Sequence, residues 1–264
     1  VELLSVSKGK LYLVTGIGHC GTQWLANALD YREHGVYAIH EGIRWWCPRR
    51  QSLGSWKDSA LYYLEHGIDQ IDQRFDCYFA KLDELLNQYE VVIDAHSWIP
   101  SAVPEVAKRV GVSGVIHLVR NGIQNVHSLY ETDHGEPENW FHRVIEREAE
   151  RIGFDLPKEG VWLNWCRWWA ANIATAHWLV GQGLDVRVHR LEDLTTSCDI
   201  LTLLTDWLGF ELPYSEVRTR QGTDWNRHIM GDRTPIRLLA GWSREQRETF
   251  LAICGEVMRH LGYL

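Results

Sequence analysis

Apolar positions in this chain fall into two rhythms. Short continuous runs at 11–15 (LYLVT), 36–40 (VYAIH), 91–95 (VVIDA) and 115–119 (VIHLV), with a weaker one at 185–189, predict strands. Between them apolar residues recur every three or four positions, which predicts helices over 24–29, 68–89, 105–110, beyond Gly122, and over 162–180, 200–208 and 244–261. Strands that alternate with helices, most of them unbroken apolar runs, predict an α/β fold: a parallel β-sheet flanked by helices on both faces. Ligands of such a sheet sit beyond the carboxyl ends of its strands. One domain spanning residues 1–264 accommodates all of this. Residues 131–160 are polar and charged and read as an insertion or lid over that edge, and 218–237 reads as irregular and rich in arginine.

The stretch 11–29, LYLVTGIGHCGTQWLANAL, organises the rest. A strand runs into Gly16, Gly18 and Gly21 and then into a helix, and such a turn leaves unpaired N–H groups at a helix N-terminus, where an anion such as phosphate is favoured. Two nucleotide readings fit these glycines in part. G-x-G-x-x-G, with Glu41 twenty residues past the last glycine, matches a dinucleotide fold and makes an NAD-dependent oxidoreductase one alternative. G-x-x-x-x-G matches a nucleoside-triphosphatase loop, but Thr22 and Gln23 stand where that chemistry needs a lysine and a magnesium-binding hydroxyl.

Charge narrows the choice. A formal net charge of -8 argues against a general nucleic-acid or membrane-surface binder, so any anion site is locally basic. Only six of the 27 basic residues are lysine, and guanidinium grips phosphate or sulfate through paired donors. Arg120 ends the run at 115–119, and Ser128 follows eight residues later on the next helix, so a guanidinium and a hydroxyl can converge on one phosphate. The six cysteines include no C-x-x-C pair, which points to reduced thiols and a cytoplasmic setting. No metal-ligand spacing such as H-E-x-x-H occurs, and no apolar run approaches the ~18 residues of a membrane span.

On these residues the sequence resembles the sulfotransferases that use 3′-phosphoadenosine 5′-phosphosulfate (PAPS). Their 5′-phosphosulfate loop is similar to Gly18, His19, Cys20, Gly21, Thr22, Gln23 and Trp24, and their 3′-phosphate motif to the segment from Arg120 to Ser128. His96 occupies the place of the histidine general base of cytosolic members, and Glu41 is a second candidate because other branches use a glutamate on the acceptor side. The segments RLEDL at 190–194 and WLGF at 207–210, and the final CGEVMRHLGY, also fit the family. Arg220, Gln221 and Gly222 resemble the segment that closes over the 3′-phosphate, and HIMGDRTPIR, ending at Arg237, is similar to a bacterial form of that region.

The resemblance implies a P-loop-NTPase-like sulfotransferase fold, with PAPS as donor, 3′-phosphoadenosine 5′-phosphate (PAP) as product and no metal. It implies a small-molecule or carbohydrate acceptor with a hydroxyl or amine. The loop amides and the Thr22 hydroxyl would hold the phosphosulfate, Trp24 the adenine, and Arg120, Ser128 and Arg220 the 3′-phosphate. The chain departs from the family pattern in four places. His19 stands where the loop has lysine or arginine, and if protonated it would sit near the bridging oxygen; Cys20 replaces a serine, Asp94 a lysine, and Leu191 an adenine-contacting tyrosine. The lost loop lysine keeps a noncatalytic nucleotide-binding protein open as an alternative. Arg44, Trp45 and Trp46, beside Glu41, are acceptor-site candidates, since aromatic faces suit rings and guanidinium suits anions.

Overall fold

A computed structural model describes residues 9–42, 73–96, 100–133, 140–156, 160–211 and 234–264. Its centre is a five-stranded parallel sheet of β1 (Lys10–Gly16), β2 (Val36–His40), β3 (Val91–Ala95), β4 (Gly114–Val119) and β5 (Val186–Arg190), in the order β2-β3-β1-β4-β5. The five apolar runs are these five strands, so the predicted parallel sheet flanked by helices is the observed one.

Successive side chains of a strand point to opposite faces, and each face here has its own core. Leu11, Leu13, Val92 and Val115 enter one, Tyr12, Val14, Ile93 and Ile116 the other. The first core is covered by α2 (Gln73–Gln88), α3 (Val103–Val110), α4 (Gly122–Asp133), α5 (Trp140–Ile152), α6 (Val161–Ala170), α7 (Asn172–Gly181) and α11 (Arg244–His260). The second is covered by α1 (Thr22–Leu29), α8 (Leu191–Thr196) and α9 (Cys198–Leu208). Burial on both faces explains why the central strands read as unbroken apolar runs.

Three elements differ from the expectation. The helix expected over 162–180 is two helices, α6 and α7, meeting at Ala171. The buried Asn172 side chain causes the break: its Nδ2 donates to the Trp169 carbonyl at 3.1 Å, competing with the helix's own ladder. The polar segment 131–160 contains α5, whose Val144, Ile145 and Ala149 are buried in the first core, so this helix belongs to the body rather than to a lid. Its polar appearance comes in part from Glu148, a fully buried carboxylate that accepts from both the backbone N–H and the hydroxyl of Ser101. Within 218–237, residues 218–233 lie outside the described residues, and the end is not irregular: Thr234 caps α10 (Pro235–Gly241), with Pro235 in its first turn. Ile68 and Ile71, at the start of the long expected helix, also lie outside.

Candidate active site

All five strands deliver their carboxyl ends to one edge, and the register there aligns the polar residues. His40 pairs with Ala95, Ala95 with Val14, Gly16 with Leu118, and Val119 with Arg190. Across the edge the chain therefore presents His40 and Glu41, then His96, the glycine turn, Arg120, and Arg190 with Leu191.

Two glycines shape the turn. At Gly16 (φ +154°) a Cβ would lie 2.5 Å from both Cys20 Sγ and the Leu118 carbonyl, and at Gly21 (φ +99°) 2.6 Å from Leu191 Cδ1. His19 between them is itself left-handed, at φ 63°. α1 then begins without a side-chain cap and without an acidic residue in its first turn, which leaves its leading N–H groups to an incoming anion.

Arg120 and α4 close on this turn from one side. Arg120 Nη1 donates to the His19 carbonyl at 3.0 Å, Asn125 Nδ2 donates to the Gly18 carbonyl at 3.0 Å, and His19 Nδ1 lies 3.0 Å from Ser128 Oγ. The bend between β4 and α4 is held in turn, because Trp169 Nε1 donates to the Arg120 carbonyl at 3.0 Å and Asn121 N to Glu192 Oε1 at 2.8 Å. The guanidinium and the hydroxyl thus both meet His19, one at its carbonyl and the other at its ring.

Several loop residues behave differently from their expected roles. Burial foremost, then the neighbouring Arg120 charge, push His19 down to about 4 against the opposing Ser128 contact, so its imidazole is neutral at pH 7 rather than a loop cation. Desolvation pushes the buried Cys20 thiol up to about 12, which makes it a filler. Trp24 is 7% exposed and packs into the second core instead of offering an open face to adenine. Leu191 is buried against Gly21. Gln23 is exposed at the start of α1, and Thr22 is buried with its hydroxyl 3.2 Å from His40 Nε2.

On the other side of the turn lie the candidate bases. His96 continues the β3–β1 ladder, its N–H donating to the Val14 carbonyl at 2.7 Å, which sets it beside the root of the glycine turn. The residue is half-buried, and desolvation of its ring, with the His40 charge adding, pushes it down to about 4. Glu41 is buried and left-handed (φ 55°), with its N–H donating to the Ala95 carbonyl at 2.8 Å. Asp94 accepts from Gly42 N at 2.9 Å and from Tyr78 OH at 2.7 Å. Burial raises this carboxyl to about 6 in spite of both hydrogen bonds, and the Glu41 charge adds to the rise.

His40 escaped the sequence reading; its only signal is a strand-end position next to Glu41, shared with too many of the 13 histidines to stand out. Arg44, Trp45, Trp46, Arg220, Gln221 and Gly222 lie outside the described residues. Arg237 is exposed on α10, which packs against α4. Among the described residues no three His, Cys, Asp or Glu side chains group as a metal site would require, and no helix is long and apolar enough to cross a membrane.

No family model matches the sequence, and no curated protein matches it. Solved chains similar to it include sulfotransferases. The sulfotransferase domain from the curacin biosynthetic pathway shares 12% identity at a TM-score of 0.49, over 97% of this chain and 98% of that one. Mouse sulfotransferase SULT7A1, solved with PAP, shares 14% at 0.49, over 97% and 88%. A sulfotransferase from Alicyclobacillus acidocaldarius shares 18% at 0.44, over 92% and 95%.

Proposed function

We propose that this chain is a PAPS-dependent sulfotransferase acting on a hydroxyl or amine acceptor. The observation that carries the reading is the meeting of Arg120 and Ser128 with His19 in a glycine turn that opens an uncapped helix. A nucleotide with phosphates at both its 5′ and 3′ positions has a use for each of these parts.

PAPS would bring an activated sulfuryl group. The chain's own task is then to bind, align and move one proton. The amides of Gly21 and Thr22 and the Thr22 hydroxyl hold the 5′ end, with His40 orienting that hydroxyl. Arg120 and Ser128 hold the 3′-phosphate, joined in this reading by Arg220, Gln221, Gly222 and Arg237. Arg120 is a permanent charge beside the turn, which suits it to part of the missing lysine's work. His96 and Glu41 flank the acceptor side as candidate bases. The register sets His96 at the end of β3, beside the turn's own strand, and Glu41 at the end of β2, one strand further out.

Strand order weighs against the NAD-dependent alternative. In dinucleotide folds the acid after the second strand reaches a ribose held at the neighbouring first strand. Here β3 lies between β2 and β1, which moves Glu41 two strand spacings, roughly 10 Å, from the glycine turn's own strand. The neutral His19 favours one second reading, a binding protein without turnover. Calorimetry with PAP, adenosine 5′-phosphate and NAD tests the first point: PAP is expected to bind at least about tenfold more tightly than either, and equal affinities or a preference for NAD would overturn it. Labelled sulfate reaching a hydroxyl in an acceptor panel, and failing to do so in the His96→Ala or Glu41→Gln chain, separates enzyme from binding protein.

A further inference from the structure

Asp94 does something that neither candidate base does: it ties together both ends of a segment. One carboxylate oxygen takes the Gly42 N–H, immediately after Glu41 and at the start of residues 43–72; the other takes the Tyr78 hydroxyl on α2, just beyond their end. The side chain is 2% exposed and points into the first core from β3, where a carboxylate without a task is costly. Leucine or valine would fit the apolar pattern of that strand.

Resting on the sulfotransferase reading, we propose that Asp94 is a positioning residue for Glu41, fixing its left-handed turn through the Gly42 N–H and holding its carboxylate beside a second negative charge. The geometry supplies both halves of this role. Glu41 sits at φ 55°, a conformation that a residue with a side chain adopts only when neighbours hold it there. Its own N–H is bonded to the Ala95 carbonyl and the next N–H to Asp94, so two successive amides clamp it against β3. Among the described residues, the titratable groups that act on Asp94 are Glu41 from the end of β2 and Tyr78 from α2, and His40 precedes Glu41 in the chain. The Glu41 charge raises Asp94, and by reciprocity the Asp94 charge favours the protonated form of Glu41, the direction that suits a base working near neutral pH. The Tyr78 hydrogen bond works the opposite way on Asp94, favouring its charged form.

The test uses the full chain saturated with PAP and follows side-chain carboxyl signals by carbon-13 NMR across pH, with Glu41→Gln identifying the Glu41 resonance. Asp94→Asn keeps the shape and the acceptor for Gly42 N–H but removes the charge. The Glu41 signal is expected to titrate about one pH unit or more lower in Asp94→Asn, with PAP affinity unchanged within about twofold. Tyr78→Phe, which leaves Asp94 in place but weakens its charged form, is expected to shift Glu41 in the same direction by less. An unchanged Glu41 titration in both variants, with PAP bound normally, overturns the role of Asp94 and leaves the sulfotransferase reading standing. Failure of the wild-type chain to bind PAP overturns that reading and this inference with it.

Discussion

Arg120 acts at two removes from a simple charge. Its guanidinium holds the His19 carbonyl, so it shapes the turn it would share with a ligand. A charge-assisted contact contributes about 1.5–3 kcal/mol, so Arg120→Ala is expected to weaken PAP binding at least about tenfold in calorimetry while changing adenosine 5′-phosphate binding much less. Equal losses for both would place the arginine's effect in the turn alone. Gly21 is a second single-residue test. Alanine there meets Leu191 Cδ1 at 2.6 Å and must keep a φ of +99°, so Gly21→Ala is expected to destabilise the chain by about 1–3 kcal/mol in urea unfolding. Adding Leu191→Ala should relieve the contact but not the backbone, giving a double variant more stable than the sum of the two losses predicts.

The junction of α6 and α7 shows how one polar side chain overrides a helical pattern. Asn172 Nδ2 must face the Trp169 carbonyl, which leaves Oδ1 to accept from His117 Nε2 at 3.1 Å; the neutral ring then accepts from the Thr15 hydroxyl at Nδ1, 3.0 Å away. Burial pushes His117 down to about 4, consistent with this neutral tautomer. Asn172→Ala orphans a buried ring nitrogen and is expected to cost about 1–3 kcal/mol in chemical denaturation. Such a break was not legible beforehand, because the tryptophans at helical spacing run through both helices and Asn172 reveals its role only through partners far along the chain. The strands were legible, since burial on both faces forces continuous apolar runs. The position of α5 was not, because Glu148 reads as a solvent-facing charge until Ser101 is seen to cover it. Of the site, Arg120, Ser128 and the glycine turn could be found by spacing. His40 and the anchoring role of Asp94 depend on side chains meeting across strands, and no local pattern encodes that.

Buried ionisable groups give the whole molecule opposing responses to pH. Folding raises Glu148 from 4.5 to about 7, chiefly by burial, so the folded chain keeps a proton that the unfolded chain has released. For this group stability is greatest below about pH 4.5 and falls as pH rises to 7, by on the order of 2–3 kcal/mol. Asp94, also raised, follows the same direction, while His19, His96 and His117, pushed down to about 4, contribute stability that is present above 6.5 and lost as pH falls towards 4. Glu148→Gln isolates one side of this balance. Relative to wild type, the variant is expected to gain thermal stability between pH 5 and pH 8, and a difference independent of pH would contradict the assignment. At the same level, the strand order has a consequence for ancestry. β1 has one neighbour on each side, and the turn it carries is shared between a margin made by β2 and β3 and another made by β4 and β5. Under the sulfotransferase reading, the β2 and β3 ends can change with the acceptor while the β4 and β5 ends keep their hold on the donor.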